Sequence, residues 1–215
     1  MTNPNNPREV TRRNFLSDLA VGATGAVALT ALSSDAALAA GVMPAASAAA
    51  EWDLTWIDRL TGKYRTVFDA PEVNEGTVFT NAQVFHMGFK EVYDATDADM
   101  QAVLVLRHRG VVMAFNDAMW EKYALGTESK VANAEKVNPF TREMANLKNR
   151  GTIFLACNLA ASRRAREIAQ RLGLNADDVK KELYANLIPG VIVQTSGVFA
   201  TIRAQQAGCS FMKSG

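Results

Sequence analysis

Cysteine and histidine are scarce in this 215-residue chain, which contains two residues of each type. They form no CxxC or HxxxH spacing, so the sequence offers no ligand cluster of the kind that binds zinc. It also contains no glycine-rich phosphate loop. The formal net charge is only +1 at pH 7, and a balanced charge gives no support for nucleic-acid binding. We therefore expect no metal, no cofactor and no nucleic-acid partner.

A long hydrophobic run is also missing. The apolar stretch at residues 19–32 is rich in Ala and Gly and is shorter than the roughly 20 residues that a membrane-spanning helix needs. Arg12 and Arg13 precede it, and small-residue A-x-A patterns such as residues 37–39 follow it, which is the order typical of an export signal.

The paired arginines, followed by Phe15 and Leu16, resemble the twin-arginine (Tat) signal, with Ser17 where that signal usually has Lys. We therefore predict that residues 1–50 are a Tat signal peptide and small-residue linker, that the protein is periplasmic, and that it has no stable membrane span. The alternative is an uncleaved amphipathic or membrane anchor.

From residue 51 onward, the pattern alternates between strands and helices. Residues 101–107 and 153–156 are continuous apolar runs, as expected of strands that are buried on both faces. Residues 77–93 have the apolar spacing of an amphipathic helix. The alternation predicts one domain over residues 51–215, an α/β fold in which helices cover both faces of a mostly parallel sheet of about five strands. Further strands are predicted at residues 63–69, 191–194 and 209–212. Further helices are predicted at 51–61, 111–123 (with a break near Asn116), 139–149, 158–172, 175–184 and from 196. Residues 124–138 are predicted to form an exposed loop.

Cys157 is the first candidate for chemistry. It ends the 153–156 strand and stands before a helix for which Asn158 is a candidate cap. The N–H groups and the dipole at a helix N-terminus stabilise a thiolate. The alternative is an inert buried cysteine, which is common after an apolar strand.

His108 follows the 101–107 strand in the same way. The carboxyl ends of parallel strands meet at one edge of a sheet, so on neighbouring strands His108 would lie near Cys157 and could take its proton or stabilise its thiolate. Arg107 and Arg109 add positive potential there. Arg163 and its neighbours on the next helix either attract an anion, such as a thiosulfate-like species, or form a solvated helix face.

Cys209 offers a competing possibility, because two cysteines outside the cytoplasm often form a disulfide. A helical crossover predicts a parallel last strand, which would place Cys209 at the other end of the sheet and beyond the reach of Cys157. An antiparallel last strand would bring the two cysteines together, and the sequence leaves both arrangements open.

Several segments resemble the DsrE/DsrF-like (TusD-like) sulfur-relay family. They are the Cys-x-x-Ala-x-x-Arg pattern at residues 157–163, Leu-Ile-Pro-Gly-Val at 187–191 with Ser-Gly-Val at 196–198, the Gln-Gln-Ala-Gly ending at 205–208, and the strand–His–Gly segment at 103–112. The likeness covers roughly residues 64–213. It implies a three-layer α/β/α sandwich that is often trimeric or hexameric.

In relay members of that family, a cysteine at this junction accepts sulfane sulfur as a persulfide. The resemblance assigns that role to Cys157, with His108 assisting or orienting it, and implies a sulfur donor or acceptor protein or a small sulfur compound as partner. The alternative function is a non-catalytic oligomeric module that binds a ligand or partner and in which Cys157 is structural.

Overall fold

The computed structural model describes residues 52–131, 134 and 136–215. The predicted export signal at residues 1–50 lies outside the described residues. No helix within the described part of the chain is long and apolar enough to cross a membrane.

A five-stranded parallel sheet forms the centre of the described residues. The order of its strands is β4-β3-β2-β1-β5, and every neighbouring pair runs parallel. The predicted α/β/α sandwich is therefore confirmed, and the sheet is parallel throughout. The strands are β1 (Tyr64–Ala70), β2 (Met100–Leu106), β3 (Ile153–Cys157), β4 (Val191–Gln194) and β5 (Ser210–Lys213).

Helices connect the strands, and several of them begin at a residue whose side chain caps the helix. Ser196 caps one helix by accepting a hydrogen bond from Phe199 N, and Asn175 caps another by accepting from the backbone of Asp177 and Asp178. The helices are α1 (Thr77–Tyr93), α2 (Asp117–Tyr123), α3 (Leu125–Glu128), α4 (Thr141–Asn149), α5 (Asn158–Leu172), α6 (Ala176–Ala185) and α7 (Gly197–Gln206), with 3₁₀ segments at Thr55–Arg59, Asn74–Gly76, Asp97–Asp99 and His108–Ala114.

The two faces of the sheet are covered unequally. Helices α1 to α6 pack on one face, against strand residues such as Phe68, Leu104 and Phe154. Helix α7 and Trp56 cover the other face, against Val103 and its neighbours. Successive side chains of a strand point to opposite faces, so the central strands are apolar at nearly every position. This is why they read as continuous hydrophobic runs in the sequence.

The segment at 124–138, predicted to be an exposed loop, is partly buried. It contains α3, whose Leu125 is buried, and Asn138, whose Nδ2 donates to the carbonyl oxygens of Met113 and Phe115 at 2.9 and 2.8 Å. A polar residue can be buried when it satisfies backbone groups in this way. A composition rule that assigns polar stretches to the surface cannot detect such contacts, and the prediction was wrong there.

The segment at residues 51–61, predicted to be a helix, also differs from its prediction. Trp56 and Leu60 are buried as the spacing indicated, but Trp56 belongs to a 3₁₀ turn, Thr55–Arg59, that ends just before Leu60, rather than to a helix over residues 51–61. The predicted break in the 111–123 region is confirmed, because a 3₁₀ segment ends at Ala114 and Asn116 caps α2 by accepting a hydrogen bond from Met119 N.

Candidate functional site

A cleft of about 670 Å³ opens at the carboxyl ends of β1, β2 and β3, beside the start of α7. It lies where a parallel sheet binds ligands, beyond the carboxyl ends of the strands. All five residues that the sequence singled out line it: Arg107, His108, Arg109, Cys157 and Arg163. The cleft is therefore the candidate functional site.

Cys157 is the last residue of β3 and the N-cap of α5. Its Sγ accepts a hydrogen bond from Ala160 N at 3.3 Å, and only 6% of the residue is exposed. The sequence suggested Asn158 as the cap, and that prediction was wrong by one residue. This position of Cys157 matters chemically, because the backbone N–H of Ala160, in the first turn of α5, donates to the sulfur itself and stabilises negative charge on it.

Asn158 has a different partner. Its Oδ1 accepts hydrogen bonds from the hydroxyl groups of Tyr184, at 2.6 Å, and Ser162, at 3.3 Å. Burial raises the pKa of Tyr184 to about 12, and the charge of Cys157 is the second cause. Tyr184 is not among the residues that line the cleft, but it bonds to the residue that follows Cys157, and the sequence did not reveal this contact. Its contact joins two helices, and no local motif marks such a pair.

Arg107 is held by a buried carboxylate. Its Nε and Nη2 donate to the two carboxylate oxygens of Asp69 at 2.5 and 2.6 Å, and Asp69 is buried at the end of β1. The hydrogen bond with Asp69 raises the pKa of Arg107, and the charge of Cys157 also contributes. Gly197 lies against the stem of Arg107, where a Cβ atom would come within 2.5 Å of Arg107 Cβ.

His108 shares the cleft with Cys157 but is paired elsewhere. Its Nδ1 lies 3.3 Å from Glu72 Oε1, and 48% of its side chain is exposed. Its φ of 51° is left-handed, which is uncommon for a residue other than glycine and turns the chain sharply after β2. Among the described residues, the hydrogen bond found at Cys157 Sγ comes from Ala160, and none joins it to His108.

Positive charge exceeds negative charge around the cleft. Five cationic side chains line it against three carboxylates, Glu72, Glu128 and Glu167. Arg163 and Arg164 both pair with Glu167, at 3.0 and 3.1 Å, and Arg109 lies 3.9 Å from Glu72. Carboxylates therefore partly neutralise the outer arginines, and the remaining charge favours an anionic ligand over a cationic one.

Cys209 lies at the opposite end of the sheet. It immediately precedes β5, which is parallel and is separated from β3 by β2 and β1. Both cysteines are free, so the disulfide alternative does not hold. Burial raises the pKa of Cys209 to about 11, despite the nearby positive charge of Arg65, which lowers it.

Within the described residues, no group of three or more His, Cys, Asp or Glu side chains could hold a metal ion. The fold and the site together define a class: a parallel α/β/α protein in which a cysteine caps a helix at a cationic cleft.

No protein-family model and no curated protein matches the sequence. Among solved structures, the chain is similar to a protein of unknown function from Methanobacterium thermoautotrophicum, with 19% identity and a TM-score of 0.39, over 70% of this chain and 98% of the other.

Proposed function

We propose that this chain is an exported DsrE-like protein that binds or relays sulfane sulfur as a persulfide on Cys157. The observation that carries the proposal is the placement of Cys157, whose sulfur caps a helix and lines a cleft with an excess of positive charge. A sulfur atom in that position can hold negative charge both as a thiolate and as a persulfide.

The transfer step needs no external oxidant or reductant. The Cys157 thiolate attacks the terminal sulfane sulfur of a donor persulfide or polysulfide, and a new S–S bond forms on Cys157. The S–S bond of the donor breaks, and the donor leaves as a thiolate or a shortened polysulfide with the electron pair of that bond. Delivery to an acceptor thiolate is the reverse exchange.

The surroundings of Cys157 suit an intermediate that must be protected. Only 6% of the residue is exposed, which limits the access of reductants to a bound persulfide. His108 lies at the rim, where its Nδ1 faces Glu72 and its Nε2 can orient an incoming sulfur compound. In this proposal, His108 assists the donor or acceptor rather than contacting Cys157.

The partner is a sulfur donor or acceptor protein or a small sulfur compound, encountered in the periplasm. Two exposed apolar side chains on the wall of the cleft, Leu159 and Val198, offer a protein partner or a second subunit an apolar contact beside the charged groups. The trimer or hexamer implied by the family resemblance would use contacts of this kind.

A second candidate function is a non-catalytic oligomeric module that binds a ligand or partner. Two observations favour this alternative: Cys157 is nearly buried, and its sulfur caps a helix. A cysteine with a purely structural role would have the same two properties.

Sodium polysulfide as donor and intact-mass measurement distinguish the two functions. We expect the protein to gain the mass of one or more sulfur atoms, the Cys209→Ala variant to gain it equally, and Cys157→Ser to gain none. The absence of an adduct, under conditions in which an established persulfide carrier is loaded, would favour the non-catalytic module.

A further inference from the structure

We infer that Arg107, rather than His108, is the cation that stabilises negative charge on the Cys157 sulfur, and that Asp69 and Gly197 are its positioning residues. The inference deepens the proposed function, because persulfide transfer needs a charged sulfur at Cys157. It concerns the thiolate itself, so it can be tested without any sulfur donor.

The strand register places Arg107 beside Cys157. Leu106, the last residue of β2, is aligned with Ala156 of β3. The residues that follow them in the chain are Arg107, just beyond β2, and Cys157, the last residue of β3. Neighbouring parallel strands lie about 4.8 Å apart, which is within the reach of an arginine side chain. Both residues line the cleft.

Two contacts keep Arg107 in place. The bidentate pair with Asp69 fixes the plane of the guanidinium group and leaves Nη1 outside the pair. The close approach of Gly197 fixes the stem, because a Cβ at position 197 would lie within 2.5 Å of Arg107 Cβ and Cδ. A substitution that moves the stem therefore moves the charge.

Of the other cations that line the cleft, all except Arg164 are more exposed than Arg107. His108 faces Glu72, and the exposed side chains of Arg109 and Arg163 also lie beside carboxylates. Exposed ion pairs of this kind are weak and are screened by solvent. Arg164 is less exposed than Arg107, but it pairs with Glu167 of its own helix at 3.1 Å. Arg107 is less exposed than His108, Arg109 and Arg163 and, as a guanidinium, stays charged at every working pH.

The pKa shifts of two groups near Cys157 agree with the placement of Arg107 beside it. The charge of Cys157 is among the causes that raise the pKa of Arg107, which directly follows β2, and of Tyr184, which lies on α6. The titratable and charged groups around Cys157, on all elements that line the cleft or pack beside it, are Asp69, Glu72, Arg107, His108, Arg109, Glu128, Lys130, Arg163, Arg164, Glu167 and Tyr184.

The test is the pH dependence of the rate at which iodoacetamide alkylates Cys157, in a Cys209→Ala background. We expect Arg107→Gln to raise the midpoint of the profile by about one pH unit, since loss of an adjacent opposite charge shifts a titration by one unit or more. Arg107→Lys should recover part of that shift. Gly197→Ala should raise the midpoint in the same direction, although every charge is retained.

Matched controls separate this effect from general changes of charge or backbone. Arg166→Gln removes an exposed charge from α5 that does not line the cleft, and Gly88→Ala adds a methyl group where nothing lies within 4 Å. Both should leave the midpoint unchanged. His108→Gln should shift it less than Arg107→Gln does.

Three results would overturn the inference. They are an unchanged midpoint in Arg107→Gln, a larger shift in His108→Gln, or, if Arg107→Gln does not fold, unchanged midpoints in both Arg107→Lys and Gly197→Ala. Circular dichroism spectra establish which variants fold. Failure of the proposed function is a separate observation, because a protein could show the expected alkylation profiles and still gain no sulfur from polysulfide.

Discussion

Cys157 and Cys209 have the same exposed fraction, 6%, yet the structure gives them opposite surroundings. Cys157 ends β3, caps α5 and lies at a cationic cleft. Cys209 precedes β5 and packs against apolar residues such as Val67 and Ala204. Burial by itself therefore does not determine whether a cysteine sulfur lies among groups that can stabilise negative charge. The difference lies in whether polar groups that stabilise a charged sulfur accompany the burial.

The largest expected contrast is in reactivity. Because burial raises the pKa of Cys209 to about 11, only about one Cys209 in a thousand is a thiolate at pH 8. With limiting iodoacetamide at that pH, we expect native Cys157 to be modified at least about 100-fold faster than Cys209. Peptide mass mapping measures the ratio, and urea-denatured protein, in which the two cysteines should react alike, is the control. Equal alkylation rates for Cys157 and Cys209 in the native protein would show that their surroundings do not make them differ in reactivity.

The same substitution should have opposite effects on stability at the two cysteines. Cys157→Ser replaces a weak cap with a preferred one, so the free energy of unfolding should stay constant or rise by up to about 1 kcal/mol. Cys209→Ser places a hydroxyl group among apolar side chains and should cost about 1–3 kcal/mol. Urea denaturation of both variants beside wild type measures the difference. Equal losses would mean that the Sγ–Ala160 contact does not act as a cap.

The amino end of the sheet, where Cys209 lies, should also respond to acid. His86 is fully buried there beside Asp97, which also pairs with Arg150. Burial first and the charge of Arg150 second lower the pKa of His86 below 6.5. Between pH 6.5 and that lower pKa, the unfolded chain binds a proton that the folded chain does not, so stability falls as the pH drops through this window.

Urea midpoints between pH 7.5 and 5 measure this effect, which we expect to be the smallest of the three. His86→Gln, which cannot titrate, should show a shallower loss than wild type over that range. If both proteins lose stability equally, other groups cause the loss and the acid sensitivity does not belong to this end of the sheet.

Much of the fold could be predicted from the sequence because the central strands are buried on both faces. Residues 102–106 and 153–156 are unbroken apolar runs, and helices such as α1 have a clear apolar periodicity. The residues of the cleft followed from the same logic. Arg107, His108 and Cys157 come directly after or at the end of parallel strands, and parallel strands bring those ends to one edge.

The partners of the site residues could not be predicted in this way. The pair of Arg107 with Asp69 joins residues on different strands, and the contact of Tyr184 with Asn158 joins two helices. The direction of His108 depends on a left-handed backbone conformation that its residue type does not announce. Such features depend on tertiary packing, whereas strand and helix patterns are local.

The position of β5 has a consequence for the order of folding. β1 lies between β2 and β5, so one edge of the first strand is paired soon after synthesis and the other only when residues 210–213 have been made. Until then, the growing chain presents an unpaired strand edge, which is the feature that promotes association with other chains. Helix α7, which covers the second face, is also made late. One edge of β1 and the second face of the sheet are therefore covered only late in synthesis. A nascent chain that stalls before β5 would depend on chaperones to avoid aggregation.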